Sequence, residues 1–271
     1  MTGPLRLAAQ ESMLAGDTLQ DKFETAIGYG FDGIELQIKG EGRFTARRAD
    51  LIAARSAGVI MPSACFNTSE FLGSVDPAVR RRAIDEMAAV IPVLADAGVR
   101  GFVTPNGCEI ASKYHSGIAP TLTDLEARRL LVDGLREIAA VAERAGVRIY
   151  LEPLNRYEDY VVNTVDQALA VIDEVGSAAV MICADTYHMS LEEKRIPEAL
   201  TRAGARLGHV QLGDSERSEP GGGHYDWAAT LQALRGIGYD GWMSLECFLS
   251  GPPSEVIPPV ATLLRGLDTT L

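Results

Sequence analysis

The 271-residue chain is poor in cysteine and histidine, with four of each, and poor in positive charge, with 25 Lys and Arg against 37 Asp and Glu. Each shortage excludes something. Cys65, Cys108, Cys183 and Cys247 stand far apart without a CxxC spacing, so no zinc–thiolate site is expected. They read as reduced thiols of a cytoplasmic protein. A formal net charge of -12 disfavours nucleic acid and anionic membrane as partners. No apolar run reaches membrane-spanning length without a charge. The opening Met1-Thr2-Gly3-Pro4 has no basic stretch leading into an apolar one, so no secretory leader is expected. The glycine-rich dinucleotide fingerprint is missing after the first apolar run. Gly221-Gly222-Gly223 lacks the lysine and hydroxyl of a P-loop and reads as backbone permissiveness in a lid-like loop.

What is present is a repeated grammar of helix, glycine, short apolar strand and polar residue. Strands are expected at Leu5–Ala9, Phe31–Ile38, Val59–Ser63, Val99–Thr104, up to Glu152, Ala179–Ala184, Leu207–Leu212 and Trp242–Leu245. Between and after them, eight helices are expected. Asp17 or Thr18, Asp76, Thr123 and Thr164 are candidate N-caps, and Pro77 suits a first helical position. A helix over 190–203 is expected to break at Pro197. Gly58, Gly98, Gly146 and Gly238 stand where helices give way to strands. Eight βα units in this length predict an α/β fold, one (β/α)8 barrel domain over residues 1–271. A doubly wound open sheet is the alternative.

In such a barrel the C-terminal strand ends share one mouth. Four successive strands deliver Glu152, Asp185, Gln211 and Glu246 there. Three carboxylates and an amide oxygen form a hard donor set, suited to Mn2+, Mg2+ or Co2+. Without a cation the three acids would repel one another. The bland alternative is solvated or arginine-paired acids. His188 follows Asp185 closely and could bond a substrate hydroxyl or carbonyl. His209 and Gln211 share one side of a strand, so His209 is either a buried support below Gln211 or itself a ligand. Arg217 could hold a substrate oxygen, and Glu158 and Glu35 are further candidate contacts at the mouth. For each, a solvated side chain is the alternative. The loop after strand four carries Asn106, Lys113, Tyr114 and His115, with little readable chemistry.

The run Leu151-Glu152-Pro153-Leu154-Asn155-Arg156-Tyr157-Glu158, the run Asp185-Thr186-Tyr187-His188-Met189 with Glu192-Glu193, Arg217 before Pro220-Gly221, and Glu246 closing strand eight together resemble the xylose-isomerase-like barrels, in particular the ketose 3-epimerases. The resemblance spans essentially the whole chain. It implies that Glu152 and Glu246 are metal ligands and the acid/base pair, that Asp185 is a ligand, and that Glu158, His188 and Arg217 contact the ketose. It also implies assembly into a dimer or tetramer. The family's fourth ligand is a histidine, and here Gln211 stands in its place. Hydroxypyruvate isomerases and some dehydratases of the superfamily are similar to this chain at that strand.

The expected activity is therefore metal-dependent epimerisation of a ketose at C3, through an enediolate, with a small carbohydrate or keto acid as substrate. The alternatives are a hydroxypyruvate-type isomerase, a dehydratase or lyase acting on a 3-oxo sugar, and a non-catalytic sugar-binding protein. A DNA-repair endonuclease is disfavoured by four histidines and the acidic balance.

Overall fold

The computed structural model describes residues 3–40, 42–68, 70–105 and 111–269; Asn106 and Cys108 lie outside them. Eight strands run β1 Arg6–Gln10, β2 Gly33–Lys39, β3 Ser63–Asn67, β4 Gly101–Pro105, β5 Arg148–Glu152, β6 Val180–Asp185, β7 Leu207–Leu212 and β8 Trp242–Leu245. All pair in parallel with their sequence neighbours. β8 returns to β1, with Arg6 opposite Trp242 and Ala9 opposite Leu245, and so closes the barrel. The helices among the described residues are α1 Leu19–Gly28, α2 Arg48–Ser56, α3 Pro77–Ala97, α4 Asp124–Ala145, α5 Val165–Val175, α6 Thr186–Glu192, α7 Ile196–Ala203, α8 Trp227–Gly236 and α9 Pro253–Asp268. None of them is long and apolar enough to cross a membrane.

The helix ends follow from local chemistry. Thr18, Thr123 and Thr164 form capping boxes with Asp21, Glu126 and Gln167, each satisfying backbone N–H groups that the helix leaves unpaired. Asp76 caps α3, with Pro77 just inside it. Gly98 and Gly146 end α3 and α4 in the left-handed region, at φ 74° and 69°.

Two departures from expectation have physical reasons. The third strand starts at Ser63 and not at Val59, because Pro62 has no N–H to give to a ladder. The carbonyls of Ile60 and Pro62 still accept from Ile34 and Arg100, so this approach segment is tied in. The expected helix over 190–203 is two helices. Asp185 accepts the N–H groups of Tyr187 and His188 and starts α6 directly at the strand end, while Pro197 lies in the first turn of α7.

Strand residues alternate between the helical layer and the lumen. Leu36, Ile149, Leu151, Ile182, Val210 and Leu212 belong to the main core. Each such buried side chain contributes about 1.5–3 kcal/mol relative to exposure. Inside the barrel a separate, smaller cluster of Cys65, Val103, Tyr150 and Cys183 fills the space. Above it, on the same lumenal alternation, stand Glu152, Asp185 and Gln211.

Candidate active site

The barrel brings the four expected strand-end groups to one end. Glu152 closes β5, Asp185 closes β6, Gln211 is the penultimate residue of β7, and Glu246 directly follows β8. Glu152, Asp185 and Gln211 are 5%, 3% and 0% exposed. Glu246 is half-buried, yet its Oε2 is shielded from solvent and has no hydrogen-bond partner. A cavity of about 310 Å3 opens above them, with Glu152, Glu158, His188, Arg217 and Glu246 in its wall and Phe66 and Phe71 as an apolar side.

Charge in this space is only partly compensated, by Arg217. Burial pushes the Glu152 carboxyl well up, and Glu246 and Asp185 add to it. Burial also raises Glu246, followed by the fields of Asp185 and Glu35. Burial lifts Asp185 to about 7 despite the two backbone N–H groups it accepts. Glu152, Asp185 and His188 each offer one atom within 4.8 Å of the others, a grouping that could hold a metal ion. Buried carboxylates that disfavour one another, with an orphaned oxygen among them, are a donor set that fits a hard divalent cation.

His188 lies in the first turn of α6, and its protonation is legible from its neighbours. The Asn155 backbone N–H donates to Nδ1 at 2.9 Å, so Nδ1 accepts. Burial, then the field of Arg217, lowers His188 to about 3. The neutral ring therefore carries its hydrogen on Nε2, an assignment from hydrogen bonding. That N–H faces Glu152, with Nε2 3.6 Å from Oε1. Asn155 also donates through Nδ2 to Glu158 at 2.8 Å.

Arg217 donates to Glu158 at 2.7 Å, and its guanidinium lies 4.8 Å from the Tyr187 ring centre and 5.3 Å from that of Phe248. Its backbone is at φ 58°, the sole positive φ outside glycine among the described residues. Asp214 holds this loop. It is fully buried and accepts from Ser215, Gly221 and Tyr225 N–H groups and from Trp227 Nε1. A Cβ on Gly223 would overlap the Asp214 carboxylate. Gly223 is thus a close-packing requirement around a buried acid, while Gly221, at φ 102°, supplies the backbone permissiveness expected of the run.

Two expected residues lie lower than the mouth. Glu35 is 0% exposed inside the lumen, so it is no substrate contact. His209 stacks on Tyr150 at 5.2 Å between ring centres, and its Nε2 meets Glu35 at 2.7 Å. The roles of Gln10, Asn155 and Asp214 were not read from the sequence. Gln10 ends β1 and donates through Nε2 to Glu35 at 3.3 Å, and a polar residue at that strand end was the available signal.

A closed parallel barrel whose C-terminal mouth gathers three carboxylates, a neutral histidine and an arginine defines a class of small-molecule sites. Residues 23–267 match the xylose isomerase-like TIM barrel family, and the chain belongs to it. Among relatives, the 3-dehydro-D-guloside 4-epimerase of Escherichia coli K12 is 29% identical over 89% of this chain and 92% of its own. The D-psicose 3-epimerase of Enterocloster bolteae is 33% identical over 81% and 73%. The apo crystal structure of a 3-keto-D-glucoside 4-epimerase from E. coli superposes with a TM-score of 0.90 at 27% identity, covering 97% of this chain and 99% of that one.

Proposed function

We propose that the chain is a divalent-metal-dependent epimerase of keto sugars, which inverts a carbon next to a carbonyl using Glu152 and Glu246 as the proton-transfer pair. The observation that carries this is the pair itself: two carboxyls at one cavity, both shifted upward by burial and by neighbouring acids. A carboxyl with a raised pKa can take and return protons near neutrality. The relatives' names agree in chemistry. One acts at C4 beside a 3-dehydro carbon, the other at C3 of a ketose. In both cases the inverted carbon adjoins a carbonyl.

Glu152, Asp185, Gln211 and Glu246 would hold the cation, with Mn2+, Mg2+ or Co2+ suiting their oxygens. When bound, it supplies Lewis acidity that lowers the cost of negative charge on the substrate oxygens. His188 is better suited to donating through Nε2–H to a sugar oxygen than to ligating, because its accepting nitrogen is already taken by Asn155. Arg217 and Glu158 bind hydroxyls at the cavity wall. One glutamate removes the proton beside the carbonyl. The other returns a proton to the opposite face, from a position three strands further round the barrel.

The test is incubation in D2O with Mn2+, a chelating quench, and proton NMR on free 2-ketoses, a 3-oxo-glucoside and hydroxypyruvate. Deuterium at C3 of a ketose or at C4 of the 3-oxo-glucoside, with a new epimer, is expected and tells which keto sugar is used. Turnover of hydroxypyruvate alone, or elimination from the 3-oxo-glucoside without epimer, would overturn the reading.

A further inference from the structure

Beneath the carboxylates, Glu35 of β2 accepts from four side chains. Its Oε1 takes Gln10 Nε2 at 3.3 Å and Gln211 Nε2 at 3.1 Å. Its Oε2 takes Ser63 Oγ and His209 Nε2, each at 2.7 Å. Glu35 is fully buried and does not line the cavity, so it can reach substrate only through others. Four side chains thus converge on its two oxygens, which leaves the Glu35 carboxylate as the acceptor toward each amide.

That fact removes an ambiguity from both glutamines. A carboxamide can turn either its oxygen or its NH2 toward a cation, and the two choices have opposite consequences. With Nε2 committed to Glu35, Gln211 has Oε1 on the far side of its amide, where it accepts from the Cys183 thiol at 3.2 Å with one lone pair and keeps the other, next to Asp185 across the β6–β7 ladder. Gln10 is oriented in the same way. Its Oε1 accepts from Gln37 Nε2 at 3.3 Å, and its NH2 serves Glu35.

We propose that Glu35 is a positioning residue, which locks Gln211 with its oxygen toward the cation. The proposal rests on the metal-site reading above. A glutamine ligand needs such a partner because its two ends are nearly the same shape. Outer hydrogen-bond partners of metal ligands commonly change affinity 10- to 100-fold.

The test is Mn2+ affinity of metal-depleted protein, by calorimetry and by the EPR signal of free Mn2+, in wild type, Glu35→Gln, Gln211→Ala and the double variant. The Glu35→Gln amide would put two N–H groups among four donors and release Gln211. Its expected effect is a weakening of about 10- to 100-fold. In the Gln211→Ala background the same change should alter affinity less than about threefold, the limit of ordinary additivity error. An equal loss in both backgrounds, or no loss in either, would overturn the proposal. If wild type binds no Mn2+, the metal-site reading fails first, which is a separate result. Should Glu35→Gln not fold, Glu35→Asp keeps the charge and shortens the reach, and it is expected to show the same dependence on Gln211.

Discussion

In the proposed reaction Glu152 and Glu246 would face one substrate carbon from different strands, which predicts a divided chemistry. Changing Glu152 or Glu246 to Gln should lower epimerisation on the order of 10²- to 10⁴-fold. Each variant should still exchange the substrate proton with D2O for one epimer alone, since one base remains on one side. The readout is the deuterium content of recovered starting sugar for each epimer. Exchange lost for both epimers in both variants would show that the two residues do not act as separate bases. At this scale the acids were readable as a set, because single acids at strand ends are common but four ligand-type residues on four successive strand ends are not. Glu35 was misplaced at the mouth because alternation along a strand tells the side of the sheet and not the layer of the barrel. Its position opposite Gln10 and Ser63 comes from register. The Asn155–His188 bond, spanning 33 residues, was equally invisible.

Loop seven shows what an element adds to its residues. Arg217 points at Glu158 from a left-handed backbone, and Asp214 holds that backbone by satisfying the loop's own N–H groups. Gly223→Ala pushes a methyl into the Asp214 carboxylate. It should move the Arg217 turn and raise KM about tenfold, a loss of about 1.4 kcal/mol of substrate contact, with a smaller change in kcat. Steady-state kinetics on the keto sugar that the D2O test identifies decide it. Unchanged KM would mean that Arg217 is aimed independently of Asp214. The sequence displayed the three glycines but not the reason for Gly223, since Asp214 lies nine residues away and its burial follows from Trp227 and the loop closing together. α6 shows the same limit. Asp185 was legible as a strand-end acid, while its second role as the cap that sets His188 on the first helical turn needed the fold.

For the whole molecule, the count of strands and capped helices was sufficient to predict closure, and the β1–β8 ladder bears it out. Closure has an energetic consequence that no single strand has: it forces three acids into one buried mouth. The folded state then binds protons more tightly than the unfolded chain, in which a carboxyl has its ordinary affinity. Asp185 moves from 3.8 to about 7, and Glu152 and Glu246 move in the same direction. Between those limits the native protein holds more protons than the unfolded one, so stability falls as pH rises. Metal-depleted protein should therefore melt about 5 °C or more lower at pH 8 than at pH 5, given the few degrees per kcal/mol expected at this size. Mn2+ should reverse the order at pH 8, because it binds the ionised acids and stabilises by about 2.7 kcal/mol at a hundredfold excess over Kd. Glu246→Gln should shrink both effects together, since it removes one of the mutually raised acids and one donor to the cation. Thermal melts at the two pH values, with and without Mn2+, give the answer. A metal-free protein that is equally stable at both pH values would mean that the acids are relieved by something other than a cation.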